Sequence, residues 1–158
     1  MDLHTWITRQ VDRVEVLAKA ATPGPWEGVV DHHQRGVVEA SVWADKLGYY
    51  ITEKVSSGER HEADAHHVGH HHPDAVLRRC EADRRILARH NVAANLADSP
   101  KFATACDGCR YEWLEGEPKP FVDNLNDCPE LLDLAHAHGI TPDVLAGLSR
   151  PSGSQATP

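Results

Sequence analysis

The sequence predicts an α+β fold: an N-terminal helix and a central helix packed on a small antiparallel sheet, followed by a C-terminal zinc knuckle and short helices. Three observations carry that prediction. Residues 3–20 repeat apolar side chains with a helical period. Residues 27–55 change to short apolar runs broken by turn residues. The chain after Pro73 returns to a helical period and then reaches a CxxC pair at Cys106 and Cys109.

In the first segment Leu3, Ile7, Val11, Val14 and Leu17 fall on one helical face, with Asp12, Arg13, Glu15 and Lys19 elsewhere. Ala21-Thr22-Pro23-Gly24-Pro25-Trp26 stops that helix, because proline supplies no amide and clashes with the preceding turn. The chain reverses there, and Trp26 is the apolar plug that fixes the turn against the core. Val29-Val30, Val37-Val38, Val42-Trp43 and Tyr49-Tyr50-Ile51 then read as three short antiparallel strands. Arg35-Gly36 and Leu47-Gly48 supply the glycines that hairpins need. His32 and His33 sit in the first loop as polar turn residues, with an accessory metal ligand as the other reading.

Ser56-Ser57-Gly58-Glu59 reads as a linker, and Glu62 to His71 as a short helix. His67 and His71 are four apart and project from one helical face, and Asp64 lies three before His67, so Asp64, His67 and His71 form a candidate metal site. The segment lacks the glutamate that an HExxH motif would place as a base. Its other reading is a hydrated corner, with His72 as N-cap and Pro73 at the first helical position. The next helix, Pro73 to His90, turns Val76, Leu77, Cys80 and Leu87 inward, so Cys80 is a core residue. Arg78, Arg79, Arg84, Arg85 and Arg89 alternate with Glu81 and Asp83 as a solvated face. His90 lies three after Leu87 and points inward from the last turn, and Asn91 ends the helix.

Cys106 and Cys109, in Cys-Asp-Gly-Cys, have the spacing that lets two sulfurs reach one tetrahedral ion, and Gly108 permits a tight knuckle. Cys128 supplies a third thiolate just before Pro129 and a helix. His90 is the fourth ligand, with His136 or His138 as alternatives. A closed Cys3His zinc leaves no position for water, which makes the ion structural and not catalytic. A redox dithiol is disfavoured because the pair does not end a strand entering a helix. Thr141 and Pro142 start a last helix with Val144, Leu145 and Leu148 to bury. The prediction is a single domain over 1–148, zinc-stabilised over about 90–140, with a disordered tail at 149–158.

A net charge of -8 argues against nucleic acid as a partner, since phosphate binding needs clustered cations. A protein partner fits better, and a second copy of the chain is another candidate. The 41% apolar content contains no run near the roughly 18 residues of a membrane span. The first residues, MDLHTWITRQ, lack the basic and apolar regions of a signal peptide, which predicts a cytoplasmic protein. Thiols are kept reduced there, so the 4 cysteines are ligands or core residues in preference to disulfide partners.

The ATPGPW turn, the segment DAHHVGHHHPDAVLRRCEADRRIL and the late CxxC followed by CPELLDL resemble an uncharacterised family of small proteins from actinobacteria and their phages. In that family the middle segment reads His-Ile-Ala-Arg-His-Asp-Pro. His67, His71 and Pro73 match it, while His70 and His72 stand where Arg and Asp would be. The turn and the Pro-initiated helix are also similar to Ead-like phage accessory proteins. The resemblance covers most of residues 1–135 and implies a phage or prophage accessory protein in a bacterial host cell. Two functions follow: a non-catalytic, zinc-stabilised protein that binds a protein partner such as a host or defence factor, or a metal-dependent hydrolase using the His61 to His72 cluster. The lack of a complete nucleophile or acid/base set favours the first.

Overall fold

Helical spacing places Leu3, Ile7 and Val11 on one stripe, and all three are fully buried along α1 (Leu3–Ala20). The computed structural model describes residues 1–33, 38–54, 60–96, 98–99 and 101–151. Asp2 caps α1, its carboxylate accepting from the Thr5 amide at 2.7 Å. Leu17, expected on the inward stripe, is 62% exposed, and Ala18 takes the inward place at 8%. A true 3.6-residue period carries the stripe from Val14 to position 18.

The chain is α+β and divides into two compact units, 13–80 and 1–12 with 81–158. The divisions fall inside α1 and α3 (Pro73–Arg89).

In the unit 13–80, β1 (Trp26–His32), β2 (Val38–Ala44) and β3 (Tyr49–Tyr50) form an antiparallel sheet in that order. Trp26 faces Ala44 at one end of the β1–β2 register and His32 faces Val38 at the other. Ala40 and Val42 of β2 pack with Ala65 of α2 (His61–His70), and Trp26 and Ile51 close over them. Trp26 does plug the turn: its indole N–H donates to the Thr22 carbonyl at 3.0 Å. The helix in closest contact with the sheet is α2, seated there by two glycines. A Cβ on Gly28 would lie 2.6 Å from the His66 nitrogen, and one on Gly69 would lie 2.8 Å from the Gly28 nitrogen. Backbone therefore packs on backbone, which no larger residue at either position allows. The Arg35-Gly36 turn and the Ser56 to Glu59 linker lie outside the described residues.

The other unit joins the first turns of α1 to the C-terminal half of the chain. The Leu3 amide donates to Asn126 Oδ1 at 3.0 Å, and Ser149 N donates to the Met1 carbonyl at 3.0 Å. Buried side chains here include Leu87, Leu96, Leu125, Leu131 and Leu134. A hairpin of β4 (Tyr111–Leu114) and β5 (Glu117–Pro120) precedes α4 (Pro129–Ala137) and α5 (Pro142–Ala146). Thr141 caps α5 as expected, accepting from Val144 N at 3.4 Å, while Val144 itself stays 40% exposed. Asn126 also donates to the Ser149 carbonyl, Arg150 pairs with Asp127, and Asn124 reaches the Pro151 carbonyl. These contacts reach Pro151, and the rest of the expected tail, residues 152–158, lies outside the described residues.

Candidate metal centre

His90 is the first residue beyond α3, and its amide still donates to the Ile86 carbonyl at 3.0 Å, so the helix sets the direction of its ring. Asn91 ends the helix by donating from its side chain to the Ala88 carbonyl at 2.8 Å. The chain then pairs back on itself. Ala93 N donates to Ala105 O and Asp107 N to Asn91 O, both at 2.9 Å, which bridges Val92 to Cys106 and holds the knuckle beside His90. Cys106 N donates to Val122 O at 3.1 Å on the far side of the hairpin.

Gly108 is required for a different reason from the one its place in a turn suggests. A Cβ there would lie 2.6 Å from His90 Nδ1 and 2.6 Å from the Arg89 carbonyl, so the missing side chain makes room for the imidazole. The left-handed backbone of the knuckle falls on Arg110, at φ 66. The third cysteine arrives after a 3-10 turn, Leu125–Asp127, and Cys128 occupies the N-cap of α4 with Pro129 opening the helix.

These folds bring His90, Cys106, Cys109 and Cys128 together with one ligand atom each, all within 4.8 Å of one another. His90 Nδ1 lies 3.5 Å from Cys106 Sγ, 3.9 Å from Cys109 Sγ and 3.3 Å from Cys128 Sγ. The sulfurs of Cys109 and Cys128 are 3.4 Å apart. An ion with sulfur at about 2.3 Å and nitrogen at about 2.0–2.1 Å in a tetrahedron sets sulfur–sulfur edges of about 3.8 Å and sulfur–nitrogen edges of about 3.6 Å. The sulfur–nitrogen edges of 3.3 to 3.9 Å bracket their value and the 3.4 Å sulfur–sulfur edge is somewhat shorter than its own, so the group suits a tetrahedral metal ion such as zinc. His90, Cys106 and Cys128 are buried and Cys109 is half-buried.

The electrostatics agree. Burial pushes the Cys109 thiol well above its usual range, and the neighbouring thiols push it further. Burial also raises Cys128, to about 11, against the opposing effect of the Leu131 backbone. The Cys109 and Cys128 thiols therefore hold their protons unless a cation compensates, and a divalent ion reverses that preference. Glu130 was not singled out from the sequence. Its Oε2 lies 3.5 Å from both Cys109 Sγ and Cys128 Sγ and accepts from the thiols. Its position in the first turn of the helix that Cys128 caps was the signal available.

The other candidates lie elsewhere. His138 Nε2 is 2.9 Å from Asp83 Oδ2 and His136 is exposed, so His90 is the histidine that joins the sulfurs. Cys80 is buried and outside the group, as its helical face predicts. Asp64, His67 and His71 do not converge as a ligand set among the described residues. The rings of His67 and His71 do lie 4.4 Å apart, but Arg79 NH1 faces His71 Nδ1 at 2.8 Å and puts a guanidinium where a metal ion would compete. Burial and the Arg79 charge both lower the His71 pKa. His33 belongs to a converging group with Asp31 and Glu39, and Lys54 Nζ sits 2.7 Å from Asp31 and 3.5 Å from Glu39. An ammonium therefore already supplies the positive charge to those carboxylates. No helix among the described residues is long and apolar enough to cross a membrane.

A family model described as a family of unknown function, DUF6221, matches residues 1–143. No curated protein and no solved structure matches the chain.

Proposed function

The chain belongs to that family of unknown function, and from this premise we propose that it is a zinc-braced, non-catalytic protein that acts by binding another protein. The observation that carries the reading is the Cys3His group, in which one ligand atom from each of four side chains lies within 4.8 Å of the others. A metal with four protein ligands keeps no position for water or substrate, and its binding free energy is folding free energy. His90, Cys106, Cys109 and Cys128 would hold the ion. Acidity across the chain, -8 in all, fits a protein partner better than nucleic acid. The resemblance of the ATPGPW turn and the Pro73 segment to actinophage and Ead-like accessory proteins favours a host or defence protein of a bacterial cytoplasm as the partner.

Elemental analysis of tag-free protein tests the metal. One zinc per chain that is lost in Cys109→Ser supports the reading; a chain purified from zinc-supplemented cells with no bound metal sinks it. A second equivalent of metal, lost in His67→Ala, would move the function toward the hydrolase alternative.

A further inference from the structure

Trp113 and Phe121, at the two ends of the β4–β5 ribbon, are each 66% exposed, and Leu114 is 46% exposed. A two-stranded ribbon has two edges, and here they are chemically unlike. Phe121 N donates to Arg110 O at 3.2 Å, just beyond the pairs Tyr111 with Pro120, Glu112 with Lys119, Trp113 with Pro118 and Leu114 with Glu117. Hydrogen-bonded and non-bonded pairs alternate in an antiparallel ladder. Starting from the Arg110–Phe121 bond, the bonded pairs are Glu112 with Lys119 and Leu114 with Glu117. The backbone groups of Tyr111, Trp113, Pro118 and Pro120 therefore point out of the ribbon.

On the β5 side both outward residues are prolines and offer no donor, so that edge is closed to strand pairing. On the β4 side Tyr111 and Trp113 present an N–H and a carbonyl each, and among the described residues no hydrogen bond reaches those amides. The Tyr111 and Trp113 rings meet edge to face at 6.1 Å and stand beside that edge. The ribbon also carries Glu112, Glu115 and Glu117 against a single Lys119, all four exposed. A second copy would set three glutamates against three, which disfavours self-pairing.

We infer that the open edge of β4 docks an extended, Lys- or Arg-bearing segment of a partner protein, which adds as a third strand with a cation over Trp113. The inference rests on the reading of this chain as a protein-binding module. Main-chain bonds to Tyr111 and Trp113 would supply affinity, and the carboxylates and the indole face would select a basic sequence.

The test titrates the full-length, metal-loaded chain with a capped octapeptide of alternating Lys and Val, following backbone amides by NMR. Binding should shift the Tyr111 and Trp113 amides and fail for the same octapeptide N-methylated at every residue, which keeps its charge but has no N–H left to pair on either edge. Trp113→Pro, which removes one outward N–H and the indole face together without changing charge, should weaken binding at least about tenfold. Equal binding of the N-methylated peptide, or of an octapeptide of alternating Glu and Val, overturns the inference. So does a concentration-dependent dimer that shifts the same amides, because a second copy would then hold the edge. Metal content is measured on the same samples: one ion per chain with no octapeptide bound overturns this inference alone, whereas a chain without metal overturns the metal-centre reading.

Discussion

Two histidine-bearing regions of this protein look alike in residue type and differ in what the fold does with them. Residues 61–72 hold six histidines in twelve positions, yet Arg79 faces His71, and no third ligand joins His67 and His71 among the described residues. His90 is an isolated histidine sixteen positions before Cys106 and thirty-eight before Cys128, and it sits within 3.5 Å of both sulfurs. Density of ligand-type residues along the chain is therefore a poor guide. Convergence of buried donors from separate segments, with the backbone clamped around them, is what makes a metal centre.

The largest test of that contrast removes the ion. Structural zinc contributes about 10 to 16 kcal/mol apparent in small peptides, as much as the whole stability of many domains. Chelation or Cys109→Ser should therefore release the unit that contains His90, and residues 1–12 with it, since Leu3 is tied to Asn126. Hydrogen exchange should show protection lost at Ala93, Ala105 and Cys106 while Val42 in the sheet and Ile51, whose amide donates to Val42 O just past β3, stay protected. Limited proteolysis should cut first between Asn91 and Cys128. Cys80→Ser, treated alike, should retain its metal.

The unit 13–80 should break by a different route. Gly69→Ala would force a methyl toward the Gly28 backbone at 2.8 Å and should cost about 1 to 3 kcal/mol, seen as a lowered melting temperature with metal content unchanged. Metal loss in that variant would mean that the two units do not respond separately.

A finer probe is Glu130→Gln. With thiolates on a bound ion, a carboxylate 3.5 Å from two sulfurs is a like charge in a largely solvated place, worth about 1 kcal/mol. The variant should hold zinc several-fold more tightly in competition with a chromogenic chelator. Weaker retention would show that Glu130 helps to bind the ion. The smallest effect is expected for His67→Ala combined with His71→Ala. Each should change stability by no more than about 0.5 kcal/mol, with the metal count unaltered, as for surface residues. A larger melting shift would give the histidine-rich corner a structural part that its geometry does not suggest.

The sequence by itself determined the types of the longer elements, because the period of apolar residues is a local property of the chain; the β4–β5 hairpin, with two prolines in its second strand, carries no such period and reads as loop. Leu3, Ile7 and Val11 announce a helix, the valine runs of residues 29–43 announce strands, and Pro73 and Pro142 open helices where backbone chemistry permits. It also narrowed the candidate ligands to Cys106, Cys109, Cys128 and one of His90, His136 and His138, and only the fold set His90 beside the sulfurs and His138 against Asp83. Other features are relations between segments distant in sequence, and only the tertiary structure decided them. Gly108 is glycine because the His90 ring fills the space of its side chain, and Gly69 because a β-strand lies against it. Arg79 rules on His71 from the next helix, and Pro118 and Pro120 close one ribbon edge only because the register turns them outward. A sequence lists which groups a residue can partner, but packing decides which one stands in front of it, because contact energies act over a few ångströms of space and not along the chain.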